Sequence, residues 1–252
     1  MSQLKNTSDF YGRFNIVIDG DYFAYKACSS VQKDINWGDG LYTCHAYLED
    51  AIDQYLIMLD NVKEVLYPDI IRIALSSPLN FRKNIYPDYK ANRKNTRKPT
   101  CYAGLIEYIK SSEYEVIGEP WFEADDLMGL QASKDMSILV SADKDMNTIP
   151  GLFFNCQTNE LRLNSYDDAF RNTVVQALSG DRADNYPGIP GYGSVKANKL
   201  IDSYIKGDYL NQNEVLKYLE SKFGNDFITM YRLAKIVDSE SYMNEVKNLY
   251  TE

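Results

Sequence analysis

Short runs of apolar residues recur along the first two thirds of the chain, each bounded by polar or turn-forming residues. This pattern predicts buried β-strands. The predicted strands are residues 14–18, 70–75, 114–117, 137–141 and 152–155. Polar residues lie just past the end of three of them: Asp19 after the first, Ser76 and Ser77 after the second, and Asp143 after the fourth.

Between these strands, apolar residues recur at helical spacing. Residues 39–62 carry them every three or four positions, which predicts one long amphipathic helix that contains the single histidine, His45. Further helices are predicted at 102–110 and 123–133, and the chain beyond residue 166 reads as helical except at 187–193.

Strands that alternate with helices predict an α/β fold with a mostly parallel central sheet flanked by helices. We expect residues 1–165 to form this core, with a basic arch segment at about 80–100 that interrupts it. Residues 166–252 should form a helical region packed on the core as one compact unit, with 205–252 against its glycine-rich loop.

The composition is that of a globular protein: 252 residues, 44% hydrophobic and 25% charged. Its four scattered cysteines have no CxxC spacing, so neither a zinc site nor a disulfide framework is indicated, and a reducing cytoplasm is expected. Residues 1–13 are polar, unlike a secretory signal, and no apolar run reaches the length of a membrane span. We therefore expect a cytoplasmic protein with no membrane partner.

Nine acidic residues lie in four short clusters. They are Asp19, Asp21, Glu123, Asp125, Asp126, Asp143, Asp145, Asp181 and Asp184. Each cluster alone is also typical of a helix cap or a turn. The carboxyl ends of parallel strands, however, meet at one edge of a sheet, which would bring the clusters together. Crowded carboxylates repel unless cations lie between them, and Mg²⁺ prefers oxygen ligands. The sequence therefore predicts a metal site of the kind that hydrolyses phosphodiesters.

The net charge of −9 argues at first against a nucleic-acid partner. Setting the nine clustered acids aside leaves 27 acids against 27 basic residues, so the remainder of the chain is neutral. Residues 82–98 form a basic segment, with seven lysines and arginines against one acid and two tyrosines among them. Such a run is commonly a solvated loop, but the mixture of bases and aromatic rings also suits a groove that follows a nucleic-acid backbone.

Glycines at positions 188, 191 and 193 precede a helix predicted to begin near Ser194. Glycine lets the backbone turn tightly and approach a ligand, and a helix start directs free amide groups toward a phosphate. This pattern is typical of a helix-hairpin-helix motif that binds DNA without sequence specificity. An ordinary loop between two helices is the alternative.

Together these segments resemble the flap endonuclease and 5′→3′ exonuclease family, and most closely the stand-alone bacteriophage 5′→3′ exonucleases. The matching motifs are residues 17–21, 80–94, 123–126, 141–145 and 180–193, and they run in the family's order. The resemblance implies a structure-selective nuclease that hydrolyses DNA by a two-metal mechanism in a bacterial or phage-infected cell. Its substrates would be DNA with a free 5′ end, nick, gap or flap, and an RNA–DNA hybrid in addition.

The resemblance also implies a role for each matched residue. Asp19, Glu123, Asp125 and Asp143 would surround one Mg²⁺, and Asp145, Asp181 and Asp184 a second, with Asp126 and Asp21 adding contacts and Mn²⁺ as an alternative ion. Lys90 and Arg82 would grip the scissile phosphate, Tyr89 would stack on the terminal base, and Lys83, Arg93 and Lys94 would contact the DNA backbone. Gly188, Gly191, Gly193, Ser194 and Lys196 would hold the duplex, with a K⁺ ion at the hairpin.

One position departs from the family pattern. The family usually carries an aspartate just after the second strand, whereas this chain has Ser76 and Ser77, of which Ser77 is the equivalent by its spacing to Phe81. A hydroxyl is a weaker ligand than a carboxylate, so Asp21 or a water molecule would fill the gap. Two alternatives therefore stay open: a non-catalytic DNA-structure-binding protein with a degenerate metal centre, and a carboxylate-site ribonuclease with a related α/β fold.

Overall fold

The computed structural model describes residues 14–94, 96–206 and 209–250. The strands are β1 Asn15–Asp19, β2 Lys33–Asn36, β3 Tyr42–His45, β4 Ile70–Ala74, β5 Glu115–Ile117, β6 Ile138–Ser141, β7 Gly151–Asn155, β8 Glu160–Asn164, β9 Ile205–Lys206 and β10 Tyr209–Leu210. The helices are α1 Gly20–Val31, α2 Leu48–Leu66, α3 Arg82–Ile85, α4 Tyr102–Lys110, α5 Ala124–Asp135, α6 Tyr166–Ser179, α7 Ser194–Asp202, α8 Gln212–Phe223, α9 Asn225–Ala234 and α10 Glu240–Tyr250. Short 3₁₀ helices occupy Ala91–Arg93 and Lys144–Thr148.

Six strands form the central sheet, in the order β5-β4-β1-β6-β7-β8. All neighbours are parallel except β7 and β8, so the predicted mostly parallel sheet is confirmed. The central strands β1 and β6 are almost wholly buried, which is why they are continuous apolar runs in the sequence. Because β1, β4 and β6 are parallel, the residues that follow them meet at one edge of the sheet.

The long helix predicted at residues 39–62 is wrong in its first third. Residues 33–45 instead form an antiparallel hairpin of β2 and β3, and the helix begins at Leu48. Three consecutive residues, Gly38, Asp39 and Gly40, have positive φ angles of 87°, 47° and 78°, a conformation that glycine adopts without strain and that a helix cannot contain. His45 consequently lies at the exposed end of β3 rather than within a helix.

Helices cover both faces of the sheet. One face packs against α1, α2 and α4 around a cluster that includes Tyr55 and Leu105. The other face packs against α5 and α10 around Phe122 and Phe153. A third apolar cluster joins α6, α7, α8 and α9, and Tyr89 of the basic segment belongs to it. The C-terminal residues therefore divide: α8 and α9 pack near the glycine-rich loop, as expected, whereas α10 packs on the sheet side.

The antiparallel strand β8 was missing from the sequence prediction. Two of its five residues are exposed and polar residues interrupt its leucines, so it lacks the apolar run that marks the central strands. The prediction that residues 1–13 are not a secretory signal concerns residues outside the described part of the chain. Within the described part, no helix is long and apolar enough to cross a membrane.

Candidate active site

Asp19 ends the central strand β1 and caps the helix that follows. Its Oδ1 accepts a hydrogen bond from the Tyr22 amide at 2.9 Å, and its Oδ2 accepts one from the Ser141 hydroxyl at 2.8 Å. The carboxylate therefore lies between the ends of β1 and β6, only 6% exposed. Burial, followed by the charges of Asp21 and Asp143, raises its pKa to about 6.

Asp125, in the first turn of α5, lies near Asp19 and Asp143. Burial raises the pKa of its carboxyl well above the usual range, and the charges of Asp19 and Asp143 add to the effect. Asp143 therefore lies close enough to Asp19 and Asp125 to destabilise their charged forms. We call these three residues the first acid group.

The second acid group consists of Asp145, Asp181 and Asp184. The side-chain amide of Gln176 lies 3.2 Å from both Asp145 Oδ1 and Asp181 Oδ2, which links the loop after β6 to the loop after α6. Burial, with the neighbouring charge of Asp143, raises the pKa of Asp145 to about 6.

A lysine partly neutralises the second acid group. The Lys144 ammonium lies 2.8 Å from Asp181 Oδ2 and 3.9 Å from Asp145 Oδ1. Burial alone would raise the pKa of Asp181, but the hydrogen bonds from Lys144 and the Ala183 amide lower it instead. Sequence reasoning missed both Lys144 and Gln176, because neither carries an isolated signal of its own.

Glu123 lies between the acid groups and the basic segment. The Lys90 ammonium is 2.5 Å from Glu123 Oε1 and 3.6 Å from Asp184 Oδ2. Although burial opposes the charged form, Lys90 and then Arg82 lower the pKa of Glu123 to about 2. Lys90 is affected in turn. Burial opposes its charged form, but the charges of Glu123 and Asp184 raise its pKa.

Backbone and side-chain contacts fasten the basic segment to the second acid group. The amide of Lys90 donates to the Asp184 carbonyl at 2.8 Å, and Arg93 Nη2 donates to Asp184 Oδ1 at 2.8 Å. Arg93 remains 53% exposed in its side chain, so it can reach solvent as well as Asp184. Lys83 and Lys94 are exposed.

Three residues with a predicted role at the site are buried in this structure. Arg82, expected on the phosphate, is 3% exposed, and Asp126, expected near a metal, is fully buried and paired with it. Tyr89, expected to stack on a base, is 2% exposed, and its ring stacks on Tyr186 at 6.4 Å instead. In each case the side chain is occupied by partners from distant parts of the chain, which the local sequence does not reveal.

Asp21 and the serines after β4 form a separate hydrogen-bonded unit. Asp21 Oδ2 accepts from the Ser76 amide at 3.0 Å, and its Oδ1 accepts from the Tyr102 hydroxyl at 2.9 Å. The Ser76 hydroxyl accepts from the Ala124 amide at 2.9 Å, whereas that of Ser77 accepts from the Leu79 amide at 3.1 Å. Asp21 thus holds the loop where the family pattern has an aspartate.

The glycine-rich loop joins α6 to α7. Gly188 has a φ of +70°, and a Cβ there would come within 2.2 Å of the Gly180 nitrogen, so this glycine is required by the fold. Around Gly191 and Gly193 the space is open. Ser194 begins α7, and Lys196 donates to the Gly191 carbonyl at 3.1 Å while its ammonium lies 4.1 Å from the centre of the Tyr192 ring.

The carboxylates suit a hard cation by their chemistry, since all are oxygen donors and crowding penalises their charge. As they stand, however, no group of three acidic, histidine or cysteine side chains within residues 14–94, 96–206 and 209–250 is arranged to hold a metal ion. The ammonium group of Lys144 lies against Asp181 and Asp145 of the second acid group, and that of Lys90 lies against Glu123 and Asp184. An incoming ion would therefore compete with these two lysines.

Comparison with known proteins establishes the family to which this chain belongs. Residues 15–157 match the model of the 5′→3′ exonuclease N-terminal, resolvase-like domain. The matched residues include β1, the basic segment and the first acid group, and they make up more than half of the chain. This protein belongs to the 5′→3′ exonuclease family.

Individual relatives agree with this membership. The chain is 34% identical to an exodeoxyribonuclease of Enterobacteria phage T3 and 32% identical to an exonuclease of Escherichia phage T7, in each case over 75% of this chain and 67% of the relative. The 5′-exonuclease of phage T5, solved with zinc, superposes with a TM-score of 0.61 over 93% of this chain and 97% of that chain. At 15% identity, this last likeness shows the shared fold of the exonuclease.

Proposed function

We propose that this exonuclease-family protein is a divalent-metal-dependent 5′ nuclease that hydrolyses DNA phosphodiesters at a free 5′ end, nick, gap or flap. The observation that carries the proposal is the meeting of two acid groups and a basic segment at the carboxyl edge of β1 and β6. Carboxylates there suit cations, and the adjacent bases suit the phosphates that those cations would act on.

Divalent ions fit the donor set of both acid groups. One phage T5 relative of the same fold was solved with zinc, and a T5 flap endonuclease structure contains DNA and metal ions. We propose two Mg²⁺ ions, with Mn²⁺ as an alternative. When bound, such ions lower the pKa of an attacking water and stabilise the leaving oxygen.

Lys90 is the residue that we propose to contact the scissile phosphate. Its ammonium now neutralises Glu123, and that pairing would weaken once the carboxylates gain another cation. The freed ammonium lies beside both acid groups, where it can offset negative charge that develops on the phosphate. Arg93, half-exposed on the same segment, is positioned to contact a neighbouring phosphate.

The loop 188–193 and the start of α7 are proposed to hold the duplex. Gly191 and Gly193 leave the backbone open to close approach, and Lys196 adds a positive charge beside them. Carbonyl groups of the same loop would hold the proposed K⁺ ion. An RNA–DNA hybrid remains a proposed further substrate, because no described feature of the site selects the sugar. We propose the cytoplasm of a phage-infected cell as its location, and its similarity to two phage exonucleases supports this proposal.

The alternative function is DNA-structure binding without cleavage. Its support is Ser77, which occupies the position of the family's usual aspartate. The Ser77 hydroxyl accepts a hydrogen bond from the Leu79 amide. Against it stand the two acid groups, since crowded, buried carboxylates lower stability without serving a binding protein.

The decisive experiment uses one DNA duplex labelled at the 5′ end and a second labelled at the 3′ end, each with Mg²⁺ or with EDTA. A 5′ nuclease releases short 5′-labelled products while the 3′-labelled strand shortens progressively, and only with Mg²⁺. Asp143→Asn should fold normally and abolish the products, whereas Asp53→Asn, an exposed acid on α2, should not. Tight binding without cleavage in either Mg²⁺ or Mn²⁺ would establish the binding protein instead.

A further inference from the structure

Arg82 and Asp126 form a buried, two-pronged ion pair. Arg82 Nη1 donates to Asp126 Oδ2 and Nη2 donates to Oδ1, both at 2.7 Å. The two residues come from different elements, Arg82 from α3 in the basic segment and Asp126 from the first turn of α5. Paired hydrogen bonds of this kind fix orientation as well as distance.

Every N–H of the Arg82 guanidinium is used. Besides its bonds to Asp126, Nε donates to the Leu233 carbonyl at 3.0 Å, Nη2 to the Lys235 carbonyl at 2.9 Å, and Nη1 to Glu123 Oε2 at 3.3 Å. The guanidinium has five donors in all. None is left for a phosphate.

Asp126 is equally saturated. Its Oδ1 accepts from the Val237 amide at 3.1 Å as well as from Arg82, and its Oδ2 accepts from the Glu123 amide at 3.1 Å as well as from Arg82. A carboxylate offers about four acceptor positions, and all are filled here. Coordination of a metal by Asp126 would have to break this set.

The pair therefore holds Glu123 twice, at its backbone through Asp126 and at its side chain through Arg82. It also holds residues 233–237, which comprise the end of α9 and the start of its link to α10. The close approach of this link to α5 is visible at Gly129, where a Cβ would lie 2.5 Å from the Val237 carbonyl oxygen. The same ion pair, Arg82 with Asp126, therefore holds both Glu123 and the link.

We infer that Arg82 and Asp126 are positioning residues that set Glu123 and make its position depend on the seating of the C-terminal link 233–237. Neither residue contacts metal or phosphate. The inference rests on the proposed function, and it deepens it by making the C-terminal helices part of the working site. The chemical consequence is that Glu123, and Lys90 through it, loses its position when the link is displaced.

The test compares Asp126→Asn with Asp125→Asn, adjacent and near-identical changes. For each we would measure the thermal unfolding temperature without metal, the number of Mn²⁺ ions bound by calorimetry, and kcat and KM on the 5′-labelled duplex. Asp126→Asn should unfold roughly 10 °C lower, because a buried partner is lost. It should bind as many ions as the parent and lose kcat by about tenfold or more with KM little changed. Asp125→Asn should bind fewer or weaker ions without losing unfolding temperature.

Gly129→Ala tests the link should Asp126→Asn not fold. Its added methyl group pushes against Val237 without touching either acid group, and Gly104→Ala on α4, whose Cβ would meet only Leu48 side-chain atoms from 3.1 Å, is the matched control. Lower kcat in Gly129→Ala with unchanged ion number supports the inference, and a kcat equal to that of Gly104→Ala overturns the role of the link. Loss of a bound ion in Asp126→Asn overturns the positioning role. If the parent does not cleave at all, the proposed function fails, whereas ion number and unfolding temperature still decide whether Asp126 is a ligand.

Discussion

The Tyr89 hydroxyl lies 2.8 Å from Asp184 Oδ2 and 3.0 Å from Glu123 Oε2. The single hydroxyl proton is thus shared between a carboxylate of the second acid group and the glutamate held by Lys90. Burial, with the charge of Glu123, raises the pKa of Tyr89 well above its usual range, so the hydroxyl stays protonated and remains a donor. This contact fastens the basic segment to the site.

Tyr89→Phe should therefore lower the free energy of unfolding by about 1–2 kcal/mol, because two buried carboxylates lose their donor. Affinity for DNA should change little, since the ring stays packed on Tyr186. Urea unfolding and fluorescence anisotropy with labelled DNA measure the two effects. Tyr86→Phe, in a half-buried neighbouring tyrosine, is the control. A large loss of DNA affinity with unchanged stability would show instead that the ring stacks on DNA.

Lys144→Met should increase the stabilisation of the protein by divalent ions. The hydrogen bond to Asp181 raises the pKa of Lys144, so its ammonium neutralises the second acid group in the metal-free protein. Without it, metal-free stability should fall by about 1 kcal/mol or less, since the side chain is 67% exposed. The unfolding temperature should then rise further on addition of Mg²⁺ than it does in the parent.

The control for that change is Lys26→Met, an exposed lysine on α1. Equal Mg²⁺-induced shifts in parent, Lys144→Met and Lys26→Met would mean that Lys144 does not compete with an ion.

Asp19→Asn should raise the stability of the metal-free protein at neutral pH. Burial raises the pKa of Asp19 from its usual 3.8 to about 6 in the folded state, so the folded protein resists the charged form. Its contribution to stability is therefore complete below about pH 4 and is lost as the pH rises through about 6. Because asparagine stays neutral, the variant should gain about 1–3 kcal/mol above pH 6 and nothing below pH 4.

Thermal melts in EDTA from pH 4 to pH 8 give this comparison, and Asp53→Asn is the exposed control. Saturating Mg²⁺ should reverse the order at pH 7.5, because only the charged aspartate binds the ion. A stability difference that is independent of pH would contradict the assignment.

Gly188→Ala and Gly193→Ala should separate folding from DNA binding. At Gly188 the positive φ and the 2.2 Å approach to Gly180 predict a loss of about 3 kcal/mol or more. Gly193, with a φ of −79° and open space around it, should tolerate alanine within about 0.5 kcal/mol. If the loop holds the duplex, Gly193→Ala should nevertheless weaken DNA binding measurably by anisotropy. Unchanged binding in the Gly193 variant would favour the ordinary connecting loop.

Runs of consecutive apolar residues in the sequence correctly predicted the central strands of the sheet. The central strands are continuous apolar runs because both their faces are buried, so their ends, and with them the placement of Asp19 and Asp143, could be read directly. The same reasoning failed at residues 39–47, where helical spacing of apolar residues outweighed the glycines that close the β2–β3 turn.

The sequence by itself determined the family, the mostly parallel sheet and the edge at which the acids gather, since each follows from local runs and from motifs in order. Only the tertiary structure decided which basic residues are buried by distant partners and which lie beside the acid groups. Arg82 and Lys90 are both basic residues of one segment, yet Arg82 is buried among the carbonyls of Leu233 and Lys235 while Lys90 lies on Glu123. Burial of a charge depends on partners that supply its hydrogen bonds, and here those partners lie about 150 positions further along the chain.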